Sequence, residues 1–348
     1  MQTKILPTRI NNPCPICSNT TGDCRETGDL ILCQKSPSGE LPSSLFKFIR
    51  PSKDGIWGVY AVSTEDREVD REKIEQFRRA QIQRLAEESQ RHSNGLSVAE
   101  RDRNIRAIAA YVGLDADHKQ QLLSRGLTEE QIKSGLFFTV KNGVDVPSTT
   151  SEKLAGVKNG KLCCKVKGIA CVAFNGKGQA TGYQVRDENP TANNKYRWAK
   201  SIFDSHLQFG ELPLTTHRHH HIVFLTEGIL KPYVASNRLN IATIGAAGGQ
   251  FNASKAQLFT ELKEVHTIIF SPDGGDILNP HTRNRWLSMP EMFGSRFKVL
   301  VAWWGQITKD APDIDELSSL DGVQFLTMLE WKKLINENIL STKPSEIS

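Results

Sequence analysis

The sequence predicts an α/β and α+β multidomain chain, and three observations carry that expectation. The last third alternates short apolar strands with helical segments, the pattern of a parallel sheet covered on both faces. Four cysteines crowd the first 33 residues, a stretch with little else to hold it together. Between them, residues 168 to 186 read as a strand, a glycine turn and a returning strand. The 348 residues are enough for two or three domains with real cores. Hydrophobic content of 38% and charged content of 24%, with a mean hydropathy of −0.40, describe a soluble chain with polar linkers. No apolar run approaches the ~20 residues of a membrane span. The opening MQTKILPTRINN lacks the apolar core of a signal peptide, so the expected address is cytoplasmic, with no membrane partner. A net charge of +5 permits a polyanionic partner without demanding one. Seven cysteines, an odd number without an export signal, favour free thiols and metal ligation over disulfides.

Residues 13 to 33 read PCPICSNTTGDCRETGDLILC, placing Cys14, Cys17, Cys24 and Cys33 at C-x2-C-x6-C-x8-C. Two thiolates with two residues between them clamp one side of a tetrahedral Zn²⁺, and a hairpin can return Cys24 and Cys33 to close it. Such a site is structural, with no position left for substrate. Short aromatic strands follow at Leu45 to Arg50 and at Trp57 to Tyr60, interleaved with Lys47, Arg50 and Lys53. These aromatics either stack the bases of single-stranded nucleic acid or fill the core of a small ribbon. Residues 65 to 92 are dense in charge, with Ile74, Phe77, Ile82 and Leu85 as a sparse apolar stripe, and read as a solvated linking helix.

A second helical block places Ile105, Ile108, Ala109 and Val112 on one face. Thr128 and Gln131 form the capping box of a further helix. Gly168 to Phe174 is a strand, Asn175 to Gly178 a turn, and Ala180 to Arg186 the returning strand. Arg186, Lys195, Arg197 and Lys200 would line a positive groove for phosphates, with Tyr196 or Trp198 as stacking surfaces; the bland reading is solvated surface. Cys163, Cys164 and Cys171 lie in strand context and read as core thiols. The run His217 to His221 reads as a solvated loop.

The strands of the last third are Ile222 to Leu225, Ile241 to Ile244, Thr267 to Phe270 and Val299 to Trp303. Helices are expected to begin near Ile229, Ala253 and Arg283, and a last one over Gln324 to Asn336. The small residues Gly245 to Gly249 could admit a phosphate or a nucleic-acid backbone. Glu227 ends the first strand, Asp273 and Asp276 follow the third, and Asp313 and Asp315 follow the fourth. In a parallel sheet all these ends share one edge, where ligands bind. Converging carboxylates repel unless cations neutralise them, and hard oxygen donors suit Mg²⁺ or Mn²⁺. A pair of such ions would stabilise the attacking and leaving oxygens of a phosphoryl transfer. Lys231, one helical turn beyond Glu227, either reaches a phosphate or is a solvated helix lysine.

This arrangement resembles the toprim domain of bacterial and phage primases, topoisomerases and some nucleases. Glu227-Gly228 matches its strand-end Glu-Gly, and Asp273 the first acid of its D-x-D. Position 275 is Gly, and Asp276 comes one residue late. Lys309-Asp310 with Asp313 and Asp315 looks like the late acidic region of primases. The strand pair ending in Arg186, followed by Lys195-Tyr196, is similar to the basic subdomain that precedes toprim in primases. Segments such as LTEGILKP, PDGGDILNPHTR and VAWWGQ look closest to cyanobacterial and plasmid-borne primase-like replication proteins. The resemblance implies a zinc ribbon at 1–62, a charged linker at 63–95 and a helical segment at 96–150. It continues with a basic subdomain at 151–212, toprim at 213–321 and a C-terminal helix and tail at 322–348. It implies a DNA primase in plasmid, phage or mobile-element replication, working on single-stranded DNA with ribonucleoside triphosphates, structural Zn²⁺, catalytic Mg²⁺ or Mn²⁺ and a replicative helicase as partner. Glu227, Asp273, Asp276 and Asp315 would hold the catalytic metals, with Asp313 assisting. The alternatives are a toprim nuclease or a non-catalytic, zinc-dependent single-strand binder.

Overall fold

The computed structural model describes residues 5–9, 12–20, 22–27, 30–41, 46–52, 56–62, 95–190, 195–199 and 213–342, with short helical pieces between 75 and 90. Lys53, Lys200 and most of the expected linking helix lie outside the described residues. The chain forms two compact units, Met1–Gln90 and Arg91–Ser348. No helix among the described residues is long and apolar enough to cross a membrane.

The first unit holds β1 (Ile5–Pro7), β2 (Arg25–Thr27), β3 (Leu30–Cys33), β4 (Phe46–Pro51) and β5 (Gly58–Val62) in one antiparallel sheet of order β1-β2-β3-β5-β4. Cys14, Cys24, Cys33, Ile31, Phe46 and Tyr60 are its buried core, with Phe48 packed against them. These aromatics are therefore core filler. Trp57 instead donates its indole N–H to the carbonyl of Asp23 at 2.8 Å and carries the Arg25 guanidinium 5.1 Å above its ring.

The second unit begins with α1 (Val98–Val112), α2 (Ala116–Ser124) and α3 (Glu129–Ser134), the last opened by the expected Thr128–Gln131 capping box. A four-stranded antiparallel sheet follows, of β6 (Phe138–Val140), β9 (Gly168–Phe174), β10 (Ala180–Asp187) and β11 (Tyr196–Trp198), in the order β11-β10-β9-β6. Two short strands, β7 (Val157–Lys158) and β8 (Lys161–Leu162), make a separate hairpin. Every residue of β9 is buried, because α1 covers one face through Ile105 and Ile108 and the next layer covers the other. Cys171 is in that core, and burial pushes its thiol up to about 12. Cys163, however, is exposed, so it is not the core thiol its neighbours predicted.

The six-stranded sheet runs β12-β14-β13-β15-β16-β17. It is built from β12 (Leu214–His217), β13 (Ile222–Glu227), β14 (Thr243–Ala246), β15 (Thr267–Ser271), β16 (Lys298–Trp303) and β17 (Gln324–Thr327). The four middle strands are parallel, and the two edges antiparallel. Helices α4 (Leu230–Leu239), α5 (Lys255–Glu261), α6 (Pro280–Ser288), α7 (Pro290–Phe293) and α8 (Met328–Thr342) complete the unit. Leu225, Phe270 and Trp286 pack on one face, and Phe224, Ile269 and Ile314 on the other. Residues 324 to 327 are an edge strand and not the start of a helix. They pair with β16, and Trp331 and Ile335 of α8 return to the same core, so this sheet extends past residue 321. Helix α5 opens at Lys255, after 3-10 turns. Helix α6 opens at Pro280, where Asn279 caps it by accepting from the His281 N–H at 2.9 Å.

One further core spans both sheets: Leu122, Ile132 and Ile169 pack with Ile229, Leu230 and Tyr233. It fixes the basic strands against the helix that follows Glu227. The histidine run is likewise not a free loop. His217 ends β12, bonds the Thr215 hydroxyl at 2.9 Å and sits edge-on to Phe174 and Tyr233, while His221 stacks on His266. Burial holds His217 down to about 3. A folded-state value below that of the unfolded chain means that its stabilisation is full above about pH 6.5 and is lost as pH falls toward the folded value. Urea midpoints should therefore drop more between about pH 6.5 and about pH 4 in wild type than in His217→Phe; equal slopes would remove His217 as the cause.

Candidate active site

The apolar residues Val223 to Leu225 are buried in the central strand, and Glu227 follows them at the carboxyl edge, half-buried. Thr226 lies opposite Ser271 of β15, which brings Asp273 beside Glu227. A tight turn at Gly228, with φ of +93°, starts α4 and swings Lys231 back over the same edge. The turn also passes so close to β14 that a Cβ on Gly245 would come within 2.4 Å of the Gly228 carbonyl.

Lys231 ties the cluster together. Its ammonium bonds Asp273 Oδ2 and lies 2.9 Å from Asp313 Oδ2, while Asp313 Oδ1 accepts the Gly274 N–H at 2.9 Å. Burial works against the charged lysine, but Asp273 and Asp313 raise its pKa above the usual lysine value. Burial pushes the Asp273 carboxyl up to about 7, with Lys231 opposing and the charges of Asp313 and Glu227 adding to the rise. Glu227 Oε2 accepts from Arg285 Nη2 at 2.8 Å, and Arg285 Nη1 donates to the Gly248 carbonyl at 2.7 Å. A Cβ at Gly249 would lie 2.6 Å from the Arg285 guanidinium, so this glycine loop admits an arginine of the protein itself.

Asp276 has a different place from the other acids. It is 7% exposed and accepts the backbone N–H of Asp273 at 3.0 Å and the indole N–H of Trp286 at 2.7 Å. It braces the loop that carries Asp273. The missing acid at 275 has a steric reason. Gly275 has φ of +81°, and a Cβ there would meet Lys309 Cγ at 2.9 Å. Asp315 is also buried, and it pairs with Arg125 Nη1 at 2.8 Å; Arg238 Nη1 donates to its backbone carbonyl at 2.8 Å. Burial pushes its carboxyl up.

Arg125, Arg186 and Arg238 line a cavity of about 400 Å³ together with Gln121, Ser124 and Asp315. Arg186 Nη1 donates to Gln121 Oε1 at 2.8 Å, and its buried Nε has no hydrogen-bond partner. Lys195 is near this group: burial lowers its pKa, and so do the charges of Arg186, Arg125 and Lys231. Tyr196 faces the same side as its cross-strand partner Arg186, but it packs into the shared core, where burial pushes its phenol up to about 12. It is not an exposed stacking surface. Arg197, the next residue along β11, faces the opposite side of the sheet, 3.9 Å from Asp187. The basic group thus gathers Arg186 and Lys195 and gains Arg125 and Arg238, which no sequence motif marked.

Breaking the Arg125–Asp315 pair should be costly from one side. Arg125→Ala leaves a carboxylate that is 3% exposed without its cation, a loss of about 3 kcal/mol. Asp315→Asn, which leaves a partly exposed guanidinium, should cost less. Chemical denaturation of both variants gives the comparison, and a smaller loss for Arg125→Ala would refute it.

The four cysteine sulfurs of the first unit lie within 4.8 Å of one another, the donor set and closeness of a closed, structural Zn²⁺ site. The thiols compete for protons: hydrogen bonds from Cys14 and Cys24 lower the pKa of Cys17, while those with Cys14 and Cys17 raise Cys24 and Cys33. A metal that takes all four as thiolates would relieve that competition.

Fold and site define an α/β protein with an acidic cluster at the carboxyl edge of a parallel sheet, a basic subdomain packed beside it, and a four-thiol unit. No protein-family model matches the chain, and no curated protein matches it. Among solved structures it is similar to a DnaG catalytic core, at 12% identity and a TM-score of 0.48 over 69% of this chain and 79% of that one. It is also similar to an Aquifex aeolicus primase comprising zinc-binding and RNA polymerase domains, at 12% identity and a TM-score of 0.46 over 90% of this chain and 80% of the other. A third is a DnaG primase catalytic domain bound to single-stranded DNA, at 11% identity and a TM-score of 0.45 over 70% and 80%.

Proposed function

We propose that this chain is a DNA primase that joins ribonucleoside triphosphates on a single-stranded DNA template. The observation that carries the reading is the meeting of Glu227, Asp273 and Asp313, from three separate strand ends, with a cationic group supplied by the preceding sheet and helices. Acids beside a crowd of cations are what nucleotidyl transfer needs: the acids for a divalent ion, the cations for phosphates. The fit to an ion is supported by Asp273 Oδ1, a buried oxygen with no hydrogen-bond partner. Mg²⁺ or Mn²⁺ held by Glu227 and Asp273 would stabilise charge on the attacking and leaving oxygens.

The remaining work belongs to the chain. Arg125, Arg186 and Lys195 draw in triphosphate and template backbone, since crowded cations are relieved by an arriving anion. Asp276 holds the Asp273 loop in place, and Asp315 fixes Arg125. The four-thiol unit is the module for template. A plasmid, phage or mobile-element setting in the cytoplasm, with a replicative helicase as partner, is supported by the resemblance of segments such as LTEGILKP and VAWWGQ. Incubation with labelled ribonucleotides, Mg²⁺ or Mn²⁺ and single-stranded templates should yield short RNA.

One observation favours a second reading, a non-catalytic single-strand binder: each acid of the cluster already faces a cation of the protein, Lys231 or Arg285. Retained DNA binding with no incorporation under either metal would select it. Cleavage of the DNA without incorporation would select a nuclease.

A further inference from the structure

We propose that Lys231 is a built-in cation that takes the place of one divalent ion, so that the acidic cluster accepts a single Mg²⁺ or Mn²⁺ per chain. The inference rests on reading the cluster as a metal site. The number of ions then depends on what Lys231 already occupies.

The oxygens decide it first. Asp273 Oδ2 and Asp313 Oδ2 are bound to the Lys231 ammonium. Asp313 Oδ1 is taken by the Gly274 N–H, and Glu227 Oε2 by Arg285. Asp276 Oδ2 is committed to the Asp273 backbone and Trp286 and Asp315 Oδ2 to Arg125, and both side chains are buried. Of the three acids that face Lys231 and Arg285, this leaves Asp273 Oδ1, which is buried without a partner, and Glu227 Oε1. Two carboxylate oxygens, completed by water and substrate phosphate, suffice for one Mg²⁺. A second ion at these three acids would have to compete with Lys231 or Arg285 for the oxygens that they hold.

Charge points the same way. Three carboxylates, Glu227, Asp273 and Asp313, face two cations, Lys231 and Arg285, and the remainder is one negative charge. One divalent ion overcompensates that slightly; a second would have to sit against an ammonium that is only 16% exposed and poorly screened. A lysine ammonium is a compact point charge with three donors, able to bridge two carboxylates where a metal otherwise would. The device is also local in origin, because the Gly228 turn brings the fourth residue after Glu227 back over the sheet edge.

The test is an ion count, which does not depend on synthesis. The zinc-loaded full chain is titrated with Mn²⁺, with free ion followed by electron paramagnetic resonance and binding by calorimetry. One Mn²⁺ per chain is expected in wild type, lost in Glu227→Gln and retained in Lys231→Arg. Lys231→Met, similar in length and neutral, should take up a second ion. Two ions on wild type, or none, would overturn the proposal without recourse to any variant, as would a folded Lys231→Met that still binds one. One bound ion without ribonucleotide incorporation would leave this inference standing and sink the primase reading instead.

Discussion

Glu227→Gln should lower primer synthesis roughly a thousand-fold, to background, because an ion held at the sheet edge supplies several kcal/mol of transition-state stabilisation. The substitution is mild for the fold. An amide oxygen can still accept from Arg285, whose bond to Glu227 Oε2 is 2.8 Å, and the residue is only half-buried. Melting should therefore stay near wild type while labelled ribonucleotide incorporation disappears under both Mg²⁺ and Mn²⁺, and single-stranded DNA should bind as before. Wild-type incorporation by Glu227→Gln would remove this edge as the catalytic site.

The second large effect concerns stability. Cys24→Ser should eliminate bound zinc and unfold the first unit, since structural Zn²⁺ contributes on the order of 10 kcal/mol to small thiolate-bound domains. The packing explains why nothing replaces it. Among the described residues, the core of this unit consists of three of the four cysteines with Ile31, Phe46 and Tyr60, little apolar surface to hold five short strands. Metal analysis of wild type should give one zinc per chain, and a chelator should reproduce the variant's loss of the first thermal transition. A Cys24→Ser protein with an unchanged melting profile would contradict the assignment.

Much of this was legible because it is local. The capping box at Thr128 and Gln131 and the hairpin around Asn175 to Gly178 depend on residues within a few positions of one another, and each forms as the spacing requires. The strand pattern of the last third depends on apolar runs bounded by turns, which is why β13, β15 and β16 fall where expected. Errors cluster where a short segment had two local readings. Gln324 to Thr327 carries no helix breaker, yet the open edge of β16 recruits it as a strand. His217 looks like part of a polar loop, yet two aromatic rings bracket it.

The sequence by itself determined the four-thiol set and the acids at the strand ends, because ligand spacing and the alternation of strand and helix are properties of neighbouring residues. Only the tertiary structure decided what each acid touches. The partners lie 42 positions away for Lys231 and Asp273, 58 for Glu227 and Arg285, and 190 for Arg125 and Asp315. It also decided that Asp276 turns inward, because the approach of Lys309 leaves no room for a side chain at position 275 and the loop needs a buried acceptor for the Asp273 N–H. A charge declares its sign in the sequence, but its partner is chosen by the packing of helices and strands that brings distant side chains within hydrogen-bonding reach.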